Sequence, residues 1–187
     1  MIASVAPILI AIGAFFLRII NLDIPKGFVF DEVYYVDGAR DLLKYGVEVD
    51  GLKPEFVVHP PIGKWSIAIG IKIFGDNEFG WRITAAIAGT LIILIASRLA
   101  HELFYSPFLT AITAALLTFD GLLLVHSRTA LLDLFLTLFI LIAAYFWFRQ
   151  QYWYASIFFG LALATKWSAL YFITLFGFVT LFRLYQQ

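Results

Sequence analysis

The sequence predicts an all-α fold: a polytopic membrane protein of about six transmembrane helices, with two surface helices in its first long loop. Three observations carry this. Hydrophobic residues make up 62% of the 187 and charged residues only 14%, whereas a soluble domain carries about a quarter charged residues. The apolar residues fall in runs near the roughly 20 that a helix needs to cross hydrocarbon. Ten of the 13 acidic residues lie between Asp23 and Glu78, together with six of the 13 basic ones, so one polar stretch stands apart from an apolar scaffold. Residues 1–187 therefore read as a single membrane-embedded unit whose loop, 21–81, holds the chemistry. The chain has no cysteine and zero formal net charge. Disulfide and thiolate chemistry are thereby excluded, and nucleic-acid binding finds no support.

The first span is Ile2–Ile20, broken only by Arg18, whose long side chain is expected to snorkel to the interface. A secretory signal is the competing reading. The MIASVAP start has no basic region, however, and no small-residue cleavage site follows.

Within the loop, Asp31–Tyr45 predicts a helix along the membrane surface, capped by Asp31, with Glu32 in its first turn and Gly46 at its end. Val33, Val36, Ala39, Leu42 and Leu43 make its apolar face. A second segment, Pro61–Phe74, alternates Ile67, Ile69, Ile71 and Ile73 as a strand would. A lone strand at the bilayer would leave its backbone groups unsatisfied, so helix is expected there too.

Five further spans follow: Ile83 to about Leu99, Phe108–Val125, Ala130–Phe148, Tyr152–Thr165 and Ala169–Phe182. The fourth of these is short, which tilt or local thinning accommodates. Trp81, Trp147, Trp153 and Trp167 mark span ends, as interfacial belts do. Orientation stays open. With both ends cytoplasmic, the inner basic residues are only Arg98, Arg149 and Arg183, against the positive-inside rule.

The candidate chemistry begins at Asp31 and Glu32 in FVFDEVYY. A helix cap with a favourable dipole neighbour is one account; a general base at the membrane surface is the other, contributing typically about 10²–10⁴ in rate. In HPPIGKW, His59 to Trp65, the prolines fix an extended backbone that launches a helix, and Lys64 offers a cation. Arg82, Arg128 and Lys166 fall on the same predicted side, each at a span boundary. Singly each reads as an anchor; together with Lys64 they suit a lipid phosphate, which Arg binds as a fork. Asp133, one turn inside its span, calls for a partner, expected to be Arg128. Asp120 has similar status. His59, His101 and His126 lack metal-ligand spacing, so no metal site is assigned, and there is no Gly-rich nucleotide loop.

The ordered set FDEVYY, HPPIGKW, WRITAAIAG, HSRTALLD and GLALATKWSALY resembles the N-terminal part of the protein O-mannosyltransferase family, GT-C-type membrane enzymes. The resemblance covers almost the whole chain. It implies a polyprenyl- or dolichyl-phosphate-mannose donor, a Ser/Thr-containing acceptor protein, inversion at the sugar, and no cofactor. By position it implies Asp31 as catalytic base with Glu32 as its acidic partner. His59 and Lys64 fall beside the donor site, Arg82 matches an arginine at the start of the second span, and Arg128, Asp133 and Lys166 match polar positions near the lipid phosphate. It also implies a cytoplasmic N-terminus and an extracytoplasmic loop, in a prokaryotic plasma membrane rather than the endoplasmic reticulum. Family members extend further, so the chain is expected to be a fragment or a truncated form, completed by a C-terminal half or a dimer partner. A sister transferase moving another lipid-linked sugar, a non-catalytic membrane subunit and a small transporter are the alternatives. The transporter predicts carboxylates at mid-membrane instead.

Overall fold

The computed structural model describes residues 5–51, 53–54 and 58–186; Ile2–Ser4 of the expected first span lie outside them. The described residues form nine α-helices and one two-residue hairpin, Val49–Asp50 (β1) against Lys53–Pro54 (β2). Helix α1 is Ala6–Ile19, α2 Glu32–Tyr45, α3 Ile62–Phe74 and α4 Glu78–Phe104. Then come α5 Pro107–Phe119, α6 Gly121–His126, α7 Leu132–Phe148, α8 Tyr152–Leu163 and α9 Ala169–Tyr185.

By length and composition one described helix, α4, can cross a membrane, with a mean hydropathy of 2.0 over its best window. At 27 residues it is about 40 Å long. Helices α1, α5, α7, α8 and α9 are apolar but shorter. Helix α4 is the hub: α1, α3, α5 and α7 all pack on it. Its start is set by Asn77, whose side chain accepts from the Gly80 N–H at 3.0 Å, satisfying one of the donors that a helix start leaves orphaned.

Helices α2 and α3 are part of the core. Tyr35, Val36 and Ala39 of α2 and Ile67, Ala68 and Ile71 of α3 are buried in one cluster with Trp81, Ala85 and Ala88 of α4 and Leu132, Leu134, Phe135 and Leu138 of α7. The expected apolar face of α2 is thereby corrected. Val36, Ala39 and Leu42 turn inward, but Val33 and Leu43 are exposed, because the packing face is Glu32, Tyr35, Val36, Ala39, Leu42 at helical spacing. The alternating isoleucines of α3 split the same way: Ile67 and Ile71 are buried, Ile69 and Ile73 exposed. A four-residue spacing on a helix, and not a strand period, separates them. Helices α3 and α4 approach closely at Gly70, where an added Cβ would run into the Gly80 carbonyl oxygen.

Three more local expectations are corrected. The span Phe108–Val125 is interrupted: α5 stops at Phe119, and the Asp120 side chain accepts from Leu123 N–H at 2.6 Å to start α6. Asp120 is therefore a cap and not a buried charge. Arg18 does not snorkel: it is fully buried, donating to the Ala14 carbonyl at 3.1 Å. Asp31 occupies the N-cap position of α2 but its side chain makes no capping bond.

Candidate functional site

The loop between α1 and α2 is held by the residues around Glu32. This carboxylate is completely buried and accepts four hydrogen bonds. Arg82 forks onto it, Nε to Oε1 and Nη2 to Oε2, both at 2.8 Å. The Val29 N–H reaches Oε2 at 2.8 Å and the Ala130 N–H reaches Oε1 at 2.7 Å. Arg82 spends its remaining donors on the carbonyls of Leu22, Pro25 and Gly27 at 3.3, 2.8 and 2.8 Å. Buried opposite charges survive only when geometry and hydrogen bonding are this complete. The expectation that Glu32 stands beside Asp31 as a chemical partner is corrected: no face of it is open, and it ties the loop to α4 and to the start of α7.

Asp31 is the reverse case. It is half-buried, and the only hydrogen bond to its carboxylate among the described residues comes from the Tyr35 hydroxyl, at 3.4 Å. Its neighbour Phe30 is 80% exposed and left-handed at φ 54°, a conformation that costs a non-glycine residue about 1–2 kcal/mol and that clusters at functional sites.

Asp31 lines a cleft of about 230 Å³ with Tyr34, Tyr35, Glu48, His59 and Lys64. Lys64 is buried against the Glu48 carboxylate. Glu48 carried no signal in the sequence; it lies beyond α2, and only the chain's return across that helix brings it to Lys64. Tyr35 was legible, since it stands four residues after Asp31 on a helix.

The turn between α8 and α9 is tied to the segment that leads into α3. Ile62 N–H donates to the Ala164 carbonyl at 3.0 Å, and Trp167 Nε1 donates to the Val58 carbonyl at 3.1 Å. Lys166 is thus brought to the His59 side, where it pairs with both oxygens of Asp133 at 2.7 and 2.9 Å. The expected Arg128–Asp133 pair does not form. Arg128 instead donates to the carbonyls of Leu17, Arg18, Ile20 and Asn21 at 2.7–3.2 Å, capping the end of α1.

Two groups report the local field. Burial, then the Asp31 and Asp133 charges, push the Tyr35 hydroxyl up to about 12, so it stays protonated and donating. Burial, then Lys166 and Lys64, push the His59 imidazole below its ordinary value, against the opposing pull of Asp133 and Asp31. Asp31, Lys64, Asp133 and Lys166 therefore act on one small region. Arg82 lies behind Glu32, and Arg128 at the end of α1. The cations are not a bare cluster: Lys64, Arg82 and Lys166 each hold a carboxylate.

A second cleft, of about 220 Å³, runs beside α6 and is lined by Leu122, Leu123, His126, Asp133 and Leu134. Its exposed surface is mostly apolar, although Asp120, His126, Asp133 and Thr137 also line it. Among the described residues no group of three His, Asp, Glu or Cys side chains converges as metal ligands would.

The fold and site together define an all-helical protein of apolar helices with an ionisable cleft at one end of its bundle. Residues 8–187 match the family described as dolichyl-phosphate-mannose-protein mannosyltransferase, and the chain belongs to that family. It is similar to the polyprenol-phosphate-mannose–protein mannosyltransferase of Mycolicibacterium smegmatis (strain ATCC 700084 / mc(2)155), 36% identical over 88% of this chain and 38% of that protein. That of Mycobacterium tuberculosis (strain ATCC 25618 / H37Rv) is 38% identical over 80% of this chain and 34% of its own length. That of Corynebacterium glutamicum is 35% identical over 82% and 36%. The chain thus spans between 34% and 38% of the length of these relatives.

Proposed function

We propose that this chain is the membrane module of a glycosyltransferase that moves mannose from a polyprenyl- or dolichyl-phosphate-mannose donor to Ser/Thr hydroxyls of proteins. The observation that carries the reading is the contrast within one acidic pair. Glu32 is sealed by Arg82, while Asp31 opens onto the cleft with only a phenol as partner.

In this reading the acceptor hydroxyl sits against Asp31, which takes its proton as the oxygen attacks the anomeric carbon. The bond from that carbon to the phosphate oxygen breaks with its electron pair on the phosphate, and attack from the opposite face inverts the centre. Lys166, partly exposed beside Asp133, meets the leaving phosphate, with Lys64 and the neutral His59 lining the sugar's side. Fixed cations aimed at developing charge are the largest expected contribution. The apolar cleft beside α6 takes the first isoprene units, since Asp133 joins it to Lys166. Arg128 holds the end of α1 so that the loop before Asp31 keeps its course. No nucleotide and no obligatory metal enters these steps.

The same reading places six apolar segments across the membrane, α5 and α6 sharing one, with the Asp31 end extracytoplasmic in a prokaryotic plasma membrane. The acceptor protein and the lipid-linked donor are the partners it requires. The test is transfer of mannose to a Ser/Thr peptide by the full chain in vesicles, wild type against Asp31→Asn, across a panel of lipid-linked sugars. Loss of transfer in the variant supports the reading. Equal transfer by both removes Asp31 as the base, and preference for another sugar makes the chain a sister transferase.

A further inference from the structure

The end of the bundle opposite Asp31 holds a cavity of about 450 Å³, between the starts of α1 and α5 and the last turns of α4. It is roughly twice the volume of the Asp31 cleft. From Arg82 to Arg98 is 16 residues along α4, about 24 Å, so on the membrane reading of the preceding section the cavity lies near the far interface of a hydrocarbon core about 30 Å thick.

Its chemistry is graded. Arg98 and His101 lie three residues apart on one side of α4, at the outer end of the cavity. Leu94 and Ile95 lie one turn deeper on the same side, and Ile8 of α1 faces them across the cavity. Charge at the interface with apolar side chains one turn below is the pattern of a phospholipid, headgroup outward and acyl chain inward.

Arg98 has no carboxylate within ion-pair distance and no hydrogen-bond acceptor among the described residues. Glu102, one turn on, is taken by Arg149, just past the end of α7, at 3.1 Å. The hydrogen bonds of Thr110 fix the imidazole. Its hydroxyl donates to the Ser106 carbonyl at 2.8 Å, so its 3.4 Å contact to His101 Nδ1 is one that it accepts. His101 Nε2 is then left to accept from a headgroup hydroxyl, or, on protonation, to donate to phosphate.

We infer that this cavity binds an anionic phospholipid, its phosphate on Arg98, its headgroup within reach of His101 and an acyl chain along Ile8, Leu94 and Ile95. Nothing in the transfer reaction needs it; it adds a second lipid site at the other face of the membrane.

The experiment reconstitutes the full chain in phosphatidylcholine nanodiscs containing a minor share of phosphatidylglycerol, and counts the lipids retained by native mass spectrometry after extraction. Wild type is expected to keep phosphatidylglycerol over phosphatidylcholine, Arg98→Ala to lose that preference about tenfold, and Arg183→Ala, whose guanidinium stacks on Trp147 outside the cavity, to keep it. Glycerol 3-phosphate is the soluble arm, and it should not displace the retained lipid. Equal retention of both lipids by an inserted wild type, or an unchanged preference in Arg98→Ala, overturns the inference. Displacement by glycerol 3-phosphate overturns the lipid assignment in favour of a free phosphate. A chain that fails to enter the nanodisc, read by protease protection, overturns the membrane reading instead.

Discussion

The guanidinium of Arg82 lies fork-to-fork on the carboxylate of Glu32, both bonds 2.8 Å long and neither side chain exposed to solvent. Fifty residues separate them in the chain. The pair fixes where α2 begins, and so where Asp31 stands.

Breaking that pair from one side should destabilise the protein without touching the open carboxylate. Glu32→Ala leaves a buried guanidinium unpaired, a loss of about 3–5 kcal/mol. Thermal melting in detergent should fall sharply for Glu32→Ala and for Arg82→Ala, while Asp31→Asn melts as wild type. A wild-type melting point for both pair variants would show that the fork does not hold the loop.

Asp31→Asn should lower the turnover of mannose transfer by about 10²–10⁴ while donor affinity is kept. Separate measurement of kcat and donor KM checks this. A rise in KM at constant kcat would make Asp31 a binding group.

Lys166→Met should act the other way, raising donor KM roughly tenfold through the lost charged contact. Asp133→Asn should give a smaller change, because it removes the carboxylate that now shares the ammonium. Unchanged donor KM in Lys166→Met would leave Lys166 as a structural partner of Asp133 only.

Gly38 lies under the Glu48–Lys64 pair: an added Cβ would stand 2.7 Å from Glu48 Oε2 and 3.0 Å from Lys64 Cδ. Gly38→Ala should cost about 1–3 kcal/mol as an overpacked site, visible in the same melting assay. Were Gly38→Ala to melt unchanged, the pair would have to shift without loss.

Two pH effects follow, with opposite signs. His59 is held below its ordinary value, so the unfolded chain binds its proton first. Stability from this group is present above about pH 6.5 and lost as pH falls below it. Tyr35 is raised to about 12, so its share is present below about pH 10 and lost as pH rises from there. Melting points for His59→Phe and Tyr35→Phe across both ranges should lose, respectively, the acid and the alkaline dependence.

Much of this was legible beforehand. The bounds of the helices at Glu32–Tyr45 and Ile62–Phe74 follow from the left-handed Gly46 past the end of the first and from Pro61 before the start of the second, both of which act within one turn. The residues expected near the chemistry do gather at one end of the bundle, apart from Arg82 and Arg128, which stand behind it. Their partners were not legible. Asp133 was expected to take Arg128, five residues away, and takes Lys166, 33 residues away; Lys64 takes Glu48, which nothing in the sequence marked.

The order of residues thus settled the apolar helices, the polar loop and the placing of Asp31 at a helix start, because those depend on side-chain type within a few positions. Only the folded chain decided which carboxylate is sealed and which is open, that Arg18 is buried, and that α5 breaks at Asp120. Those outcomes depend on which surfaces meet, and a buried charge takes whichever partner the packing brings within about 3 Å.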